Sequence, residues 1–156
     1  MFIRYYLDLA IAFESVEEAL LAQPEAWVPG LAREAERQGE TLLAEVGFAF
    51  DDSHRVDKQV EIAFGDAYRI SGKTLLPMSW KATSAEHLFP ALEADLEVAA
   101  LGPSRTQLSI SARYRPPGGP LGRAIDRALL HRVAEATVKD FLDRVGEALQ
   151  TRALAE

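Results

Sequence analysis

Hydrophobic and polar residues alternate at the start of the chain. From Ile3 through Leu9 to Phe13, every second residue is apolar or aromatic, while Arg4 and Asp8 fall on the opposite face. A period of two over this length is typical of a β-strand with one buried face. The chain is therefore predicted to open with a half-buried strand.

Helix signals follow this strand. Ser15 and Glu18 have the spacing of an S-x-x-E capping box, which predicts a short helix that stops at Pro24. Pro24 suits the first position of a second short helical segment, and Pro29 with Gly30 would end that segment. Two short helices are thus predicted after the first strand.

Residues 31–50 fit two structures. A turn at Gln38-Gly39 would make a hairpin, and its second arm would alternate from Leu42 to Phe50. The stretch also begins with good helix formers, so a helix through Arg37 is the alternative. The alternation in the second arm favours the hairpin.

Alternation returns in four later segments, at residues 56–64, 73–83, 92–98 and 106–114. Pro77 interrupts the second of these and predicts an edge strand or a bulge, because proline cannot donate to a strand ladder. Residues 84–90 are predicted to be a loop. Together with the first strand, these segments predict an antiparallel sheet.

Prolines and glycines are concentrated in one place, in the sequence RYRPPGGPLGRAIDR at residues 113–127. Two prolines would end the preceding strand, and Gly118-Gly119 would allow the chain to reverse. Pro120 would then start a helix that continues from Leu121 to about Gln150. This junction therefore predicts a strand end, a corner and the start of a long C-terminal helix.

Composition narrows the functional classes. The chain has 156 residues, which fits one domain, and no cysteine, which excludes disulfides, thiolate catalysis and cysteine-ligated metals. Its net charge of −7 argues against nucleic acid as a partner. No apolar run is long enough to span a bilayer, and the expected location is the cytoplasm.

Four stretches resemble the SRPBCC or START-like superfamily, which includes polyketide cyclases, birch-pollen-type allergens and lipid-transfer domains. They are WVPGL at 27–31, TLLPMSW at 74–80, LFPALEADLEV at 88–98 and YRPPGGPLGRAIDRALLHRVAEATVKDFLDRV at 114–145. The resemblance implies an α+β helix-grip fold in which a curved antiparallel sheet of six to seven strands wraps around the long helix. It also implies that residues 1–156 form a single START-like domain.

The same resemblance implies an apolar cavity between the sheet and the long helix, with His87 at its mouth. The inward strand faces and the sheet-facing side of the helix would line it. The implied lining is Tyr5, Leu7, Leu9, Ile62, Phe64, Met78, Trp80, Leu96, Leu108, Ile110, Tyr114, Leu129, Val133 and Phe141.

Catalytic and metal-binding motifs are not apparent in the sequence. The three histidines lack metal-ligand spacing, so neither a metal site nor a cofactor is predicted. Glu93, Asp95 and Glu97 alternate against apolar residues and are expected to face water, as are Glu17 and Glu18. The hydroxyls of Tyr5 and Tyr114 are expected to find protein or water partners.

Three functions remain open. The preferred hypothesis is non-catalytic binding of an apolar small molecule, such as a lipid or a polyketide-like compound. The alternatives are an enzyme of the polyketide cyclase, aromatase or dehydratase kind, and a co-chaperone-like interaction domain with a filled core whose protein partner is unknown. An empty apolar cavity would favour the first, convergent titratable groups in it the second, and no cavity the third.

Overall fold

The computed structural model describes residues 1–45, 60–82, 91–116 and 126–154. Within these ranges the strands form one antiparallel sheet in the order β1-β6-β5-β4-β2, and β3 also pairs with β4. The strands are β1 (Phe2–Leu9), β2 (Val60–Phe64), β3 (Tyr68–Ile70), β4 (Lys73–Ala82), β5 (Ala91–Gly102) and β6 (Arg105–Tyr114).

Three helices in the described part of the chain pack together on one face of the sheet. They are α1 (Phe13–Leu21), α2 (Pro24–Glu45) and α3 (Arg127–Leu154). The long C-terminal helix α3 contacts β1, β6 and both other helices, while α2 also contacts β2. We call the helix-covered side of the sheet the inner face and the opposite side the outer face. The expected α+β helix-grip fold is confirmed.

The alternation of apolar residues places the core on the inner face. Strand register aligns these residues in rows that run across the sheet, and Leu76, Leu96 and Ile110 form the centre of one row with Tyr5 at its end. The helices cover these rows because their own apolar residues face the sheet. Gly146 of α3 brings the helix close to β1, since a Cβ atom there would lie 3.1 Å from Leu7 Cδ1.

The hairpin predicted at Gln38-Gly39 is wrong. Residues 24–45 form the single helix α2, and Pro29 lies inside it instead of ending it. Proline removes only one intrahelical hydrogen bond, whereas α2 buries a stripe that includes Val28, Ala32 and Leu43. This burial outweighs the helix-breaking signals.

The capping box predicted at Ser15 is also wrong. Helix α1 begins at Phe13, and its N-cap residue Ala12 makes no side-chain hydrogen bond. Glu17 lies on the sheet-facing side of α1, where its carboxylate accepts hydrogen bonds from Arg69 on β3 and Thr74 on β4. Glu17 therefore lies at a contact between α1 and the sheet, and the expectation that it faces water is wrong.

Pro77 lies opposite the break between β2 and β3. Strand β4 is an interior strand, so the prediction of an edge strand is wrong, but the ladder is irregular at this point. The carbonyl of Pro77 accepts a hydrogen bond of 2.9 Å from the Gly65 amide, which follows the end of β2. A backbone N–H at position 77 would point to the same side of β4 as this carbonyl. Regular strand pairing is interrupted there, so the lack of an N–H in proline is tolerated.

Within the described residues the long helix runs from Arg127 to Leu154. The Asp126 carboxylate accepts a 3.2 Å hydrogen bond from the Ala128 amide at its first turn. Residues 121–125, which were predicted to belong to this helix, lie outside the described residues. The predicted corner at Gly118-Gly119 and the predicted helix start at Pro120 lie outside the described residues, as do Val56, Lys58 and the 84–90 loop.

We expect Glu17→Gln to destabilise the protein in a pH-dependent way. Hydrogen bonding to Arg69 is the main cause that lowers the pKa of Glu17 below its ordinary value of 4.5. A lowered folded-state pKa contributes stability above the unfolded-state pKa, and that contribution is lost as the pH falls through the folded-state pKa. The loss at pH 7 should be about 1 kcal/mol, because Arg69 is largely exposed and solvent screens the pair.

The measurement is the melting temperature of both proteins from pH 7 down to pH 2. The difference between the wild type and Glu17→Gln should shrink below pH 4.5 and disappear once the carboxyl is protonated. Glu18→Gln is the matched control, since Glu18 is exposed on the same helix. A difference that persists unchanged at acid pH would contradict the assignment.

Candidate functional site

One end of the inner face carries most of its large aromatic side chains. Trp80 on β4 lies between Ile62 on β2 and Leu92 on β5, and Leu92 pairs with Tyr114 on β6. The neighbouring row has small residues at its centre, where Ala94 pairs with Ala112. We call this end, from Trp80 to Tyr114 and including these alanines, the Trp80 end.

Trp80 is fixed by contacts with two helices. Its indole Nε1–H donates a 3.2 Å hydrogen bond to Glu36 Oε2 on α2. Its ring meets Phe141 of α3 edge to face, with 6.0 Å between the ring centroids. Because Trp80 and Glu36 are both buried, the interior of the protein contains a carboxylate acceptor beside an aromatic pair.

Two acidic residues in this region were not anticipated from the sequence. Glu36 and Glu40 lie one turn apart on α2, and each is only 4% exposed. Buried carboxylates are uncommon unless they are paired. The sequence did hold a signal for them, because both fall within the helical repeat formed by Ala32, Ala35 and Leu43. Because residues 31–50 were interpreted as a hairpin, this helical repeat was not recognised.

The structure places the predicted lining residues on the expected faces but not around one point. The two strand rows at the Trp80 end hold Ile62, Phe64, Met78, Trp80 and Tyr114, and α3 contributes Val133 and Phe141 to the same buried core. Toward the other end lie Tyr5, Leu7, Leu9, Leu96, Leu108 and Ile110, while Leu129 is half-buried in the first turn of α3. His87 lies outside the described residues.

Solvent accessibility varies within both groups. Trp80 and Phe141 of the first group and Leu96, Leu108 and Ile110 of the second are at most 2% exposed. Ile62 and Phe64 of the first group and Tyr5 and Leu7 of the second are half-buried on strands β2 and β1, at the two edges of the sheet order. The centre of the inner face is therefore a close-packed core in both groups.

The two tyrosine hydroxyls occupy different environments. The Tyr114 hydroxyl donates to Met1 Sδ at 2.6 Å, and burial, helped by the Glu135 charge, raises the pKa of Tyr114 to about 12. The phenol therefore remains protonated at neutral pH. Tyr5 is half-buried at the β1 edge of the sheet, where Lys139 Nζ lies 5.7 Å from its ring centroid.

The remaining candidate groups are exposed or paired with a neighbouring side chain. Glu93 is exposed, as expected, and Glu97 pairs with Lys73 at 3.0 Å. His131 lies 2.9 Å from Glu135, one turn along α3. Within the described ranges no cluster of three potential metal ligands is present. The helices of these same ranges are also too short or too polar to cross a membrane.

Comparison with solved structures identifies several similar proteins. A conserved protein from Geobacillus kaustophilus is similar over 97% of this chain and 96% of its own, with a TM-score of 0.55 and 12% identity. An aromatase/cyclase from Streptomyces sp. R1128 covers 93% of each chain with a TM-score of 0.42 and 12% identity. A protein from Thermus thermophilus covers 99% of this chain and 98% of its own, with a TM-score of 0.48 and 14% identity.

The likeness to these proteins concerns the fold. No protein-family model matches the sequence, and no curated protein matches it. At 12% identity, the similarity to the Geobacillus kaustophilus protein shows a shared fold. Folds of this kind host different activities, so function must be argued from the site itself.

Proposed function

We propose that residues 1–156 form a single, cytoplasmic domain that binds an apolar small molecule, such as a lipid or a polyketide-like compound, without converting it. The ligand would lie at the Trp80 end of the inner face, between the sheet and α3. The observation behind this proposal is the group of aromatic side chains at this end, where Trp80 meets Phe141 edge to face and Tyr114 lies in the same row, next to the small pair Ala94 and Ala112. The side chains there are chiefly aromatic and aliphatic, as in most small-molecule sites.

The shape of the inner face supports this position. Ala94 and Ala112 are adjacent and lie beside the row that holds Trp80 and Tyr114. Both alanines are buried, and their short side chains fill less of the space beneath the helices than the neighbouring Trp80 and Tyr114 do. A ligand entering there would contact the Trp80 ring and displace water from apolar surface.

Tryptophan fluorescence tests this proposal because the chain has only two tryptophans. Trp27 lies on α2, where its Nε1–H donates to the Ala22 carbonyl at 3.2 Å and Arg152 lies 4.7 Å from its ring centroid. Trp27→Phe therefore isolates the buried reporter Trp80, and Trp80→Phe isolates Trp27 as a matched control.

We expect oleic acid or an aromatic polyketide to shift or quench the fluorescence of Trp27→Phe and to leave that of Trp80→Phe nearly unchanged. Calorimetry of the same titration should show a negative heat-capacity change, which reports burial of apolar surface. A folded protein whose Trp80 emission and melting temperature ignore a panel of fatty acids, sterols and aromatic polyketides would overturn the proposal.

A second candidate is an enzyme of the cyclase, aromatase or dehydratase kind, and the two buried carboxylates favour it. Glu36 and Glu40 could accept or donate protons if a polyketide-like substrate lay against Trp80. Glu36→Gln and Glu40→Gln keep the side-chain shape and remove the ionisable group. If this candidate is correct, both variants should still bind an aromatic polyketide while its conversion, followed by mass spectrometry, is lost.

A further inference from the structure

The outer face of the sheet has two different halves. On β1, Phe2 and Tyr6 point outward and are 57% and 62% exposed. Three strands away, a concavity of about 330 Å³ opens over β4 and β5, and its lining includes Ala63, Pro77 and Ser79. Two exposed aromatics therefore lie at the β1 edge of this face and a hollow lies over β4 and β5, while a third exposed aromatic, Tyr68 on β3, lies beside the outward Leu75 of β4.

In two adjacent rows of the outer face, positively and negatively charged residues are also divided between its two halves. Arg113 on β6 and Glu93 on β5 are direct cross-strand neighbours, and both are exposed. In the next row, Arg4 on β1 aligns through Ser111 with Asp95 on β5. In these rows positive charge lies on the β1-β6 half of the outer face, and negative charge lies on the β5 side.

These two halves are complementary to each other across a two-fold axis. We propose that the protein forms a symmetric homodimer in which the outer faces of two copies pack together. The two-fold axis runs parallel to the strands, in the plane of contact, above the boundary between β5 and β6. Rotation about this axis places β6 of one copy over β5 of its partner, and β1 over the partner's β4. This operation satisfies the requirement that a two-fold interface be self-complementary.

The observed register decides which residues meet. In the row that joins Phe2, Arg113, Glu93 and Ser79, the axis places Arg113 opposite the partner's Glu93 and Phe2 over the partner's Ser79, at the concavity.

Two further rows agree with this pairing. Arg4 approaches the partner's Asp95 beside Pro77, and Tyr6 meets the partner's Leu75, which is the outward residue of β4 in its row. In one row a cationic side chain therefore meets an anionic one of the partner, and in the other an aromatic side chain meets an apolar one.

The size of the face suits a modest interface. The ten residues of β6 span about 34 Å, and four strands span about 19 Å, which gives roughly 650 Å² per copy. A standard interface buries roughly 800 Å² per partner. Aligned sheets pack face to face within about 30° of each other, so the twist of the sheet is compatible with this contact. We therefore expect a dimer that dissociates on dilution.

Charge-swap variants test the dimer and its geometry together. In sedimentation velocity, the wild type should approach twice its 17.2 kDa chain mass as its concentration rises. Arg113→Glu alone and Glu93→Arg alone should each remain monomeric, because each places like charges opposite one another in both symmetric contacts. Mixing these two variants should restore a dimer, since every contact in the mixed pair is then between opposite charges.

Arg132→Glu is the control, because Arg132 is exposed on α3, away from the outer face, and carries the same change in charge. It should dimerise like the wild type. Circular dichroism of each variant checks that it is folded. A wild type that is monomeric at millimolar concentration would overturn the proposal. So would a dimer that Arg113→Glu leaves intact, or two folded single variants that stay monomeric when mixed.

Discussion

Phe141→Ala should lower the free energy of unfolding by about 3–5 kcal/mol. Phe141 lies on α3, is 1% exposed and belongs to the group of largest fully buried side chains. It also makes the edge-to-face contact with Trp80, so truncation removes both apolar burial and an aromatic pair. Urea denaturation should show a lower transition midpoint with an unchanged slope.

Leu154→Ala is the control for Phe141→Ala on the same helix. Leu154 is 75% exposed, so its truncation should change the unfolding free energy by no more than about 0.5 kcal/mol. Equal effects of the two substitutions would mean that α3 does not present Phe141 to the core.

Met78→Arg should destabilise the protein by about 4 kcal/mol, because it places a charge among apolar residues. Met78 is buried on β4 and pairs with Phe64 on one side and Ala94 on the other. A guanidinium at this position would lose its hydration. Guanidinium chloride unfolding gives the loss directly, and the variant should also bind apolar probes less well.

Met78→Leu separates charge from shape in this experiment. It conserves side-chain volume and apolar character, so it should cost less than about 1.5 kcal/mol. If Met78→Arg were as stable as Met78→Leu, the side chain at position 78 would reach water, and the inward assignment of this strand face would be wrong.

The sheet followed from the sequence because its signal is local. Alternation with a period of two identifies the buried face of a strand without knowledge of its neighbours. Leu92, Leu96 and Val98 on β5 and Leu108 and Ile110 on β6 were therefore assigned inward, and all five are buried. The third strand, Tyr68–Ile70, was not predicted, since its three residues are exposed and too few to show a period.

Helix α2 and the buried carboxylates did not follow from the sequence. Pro29 and Gly39 are local signals against a helix, and they misled the prediction because the opposing energy comes from distant residues. Only the packing of α2 against α3 and β2 makes residues 24–45 one helix. Once it forms, Glu36 is carried into the interior, where it meets Trp80, 44 residues away along the chain.

The sequence by itself determined the class of fold, the faces of the main strands and the presence of a long C-terminal helix, because hydrophobic periodicity records burial residue by residue. Tertiary structure alone decided which groups meet: Glu36 with Trp80, Glu17 with Arg69, and Arg113 beside Glu93 in one outer row. These contacts depend on register and on helix docking, which arise from the summed packing of the whole chain. No local pattern encodes that sum, and the site proposed here consists of such contacts.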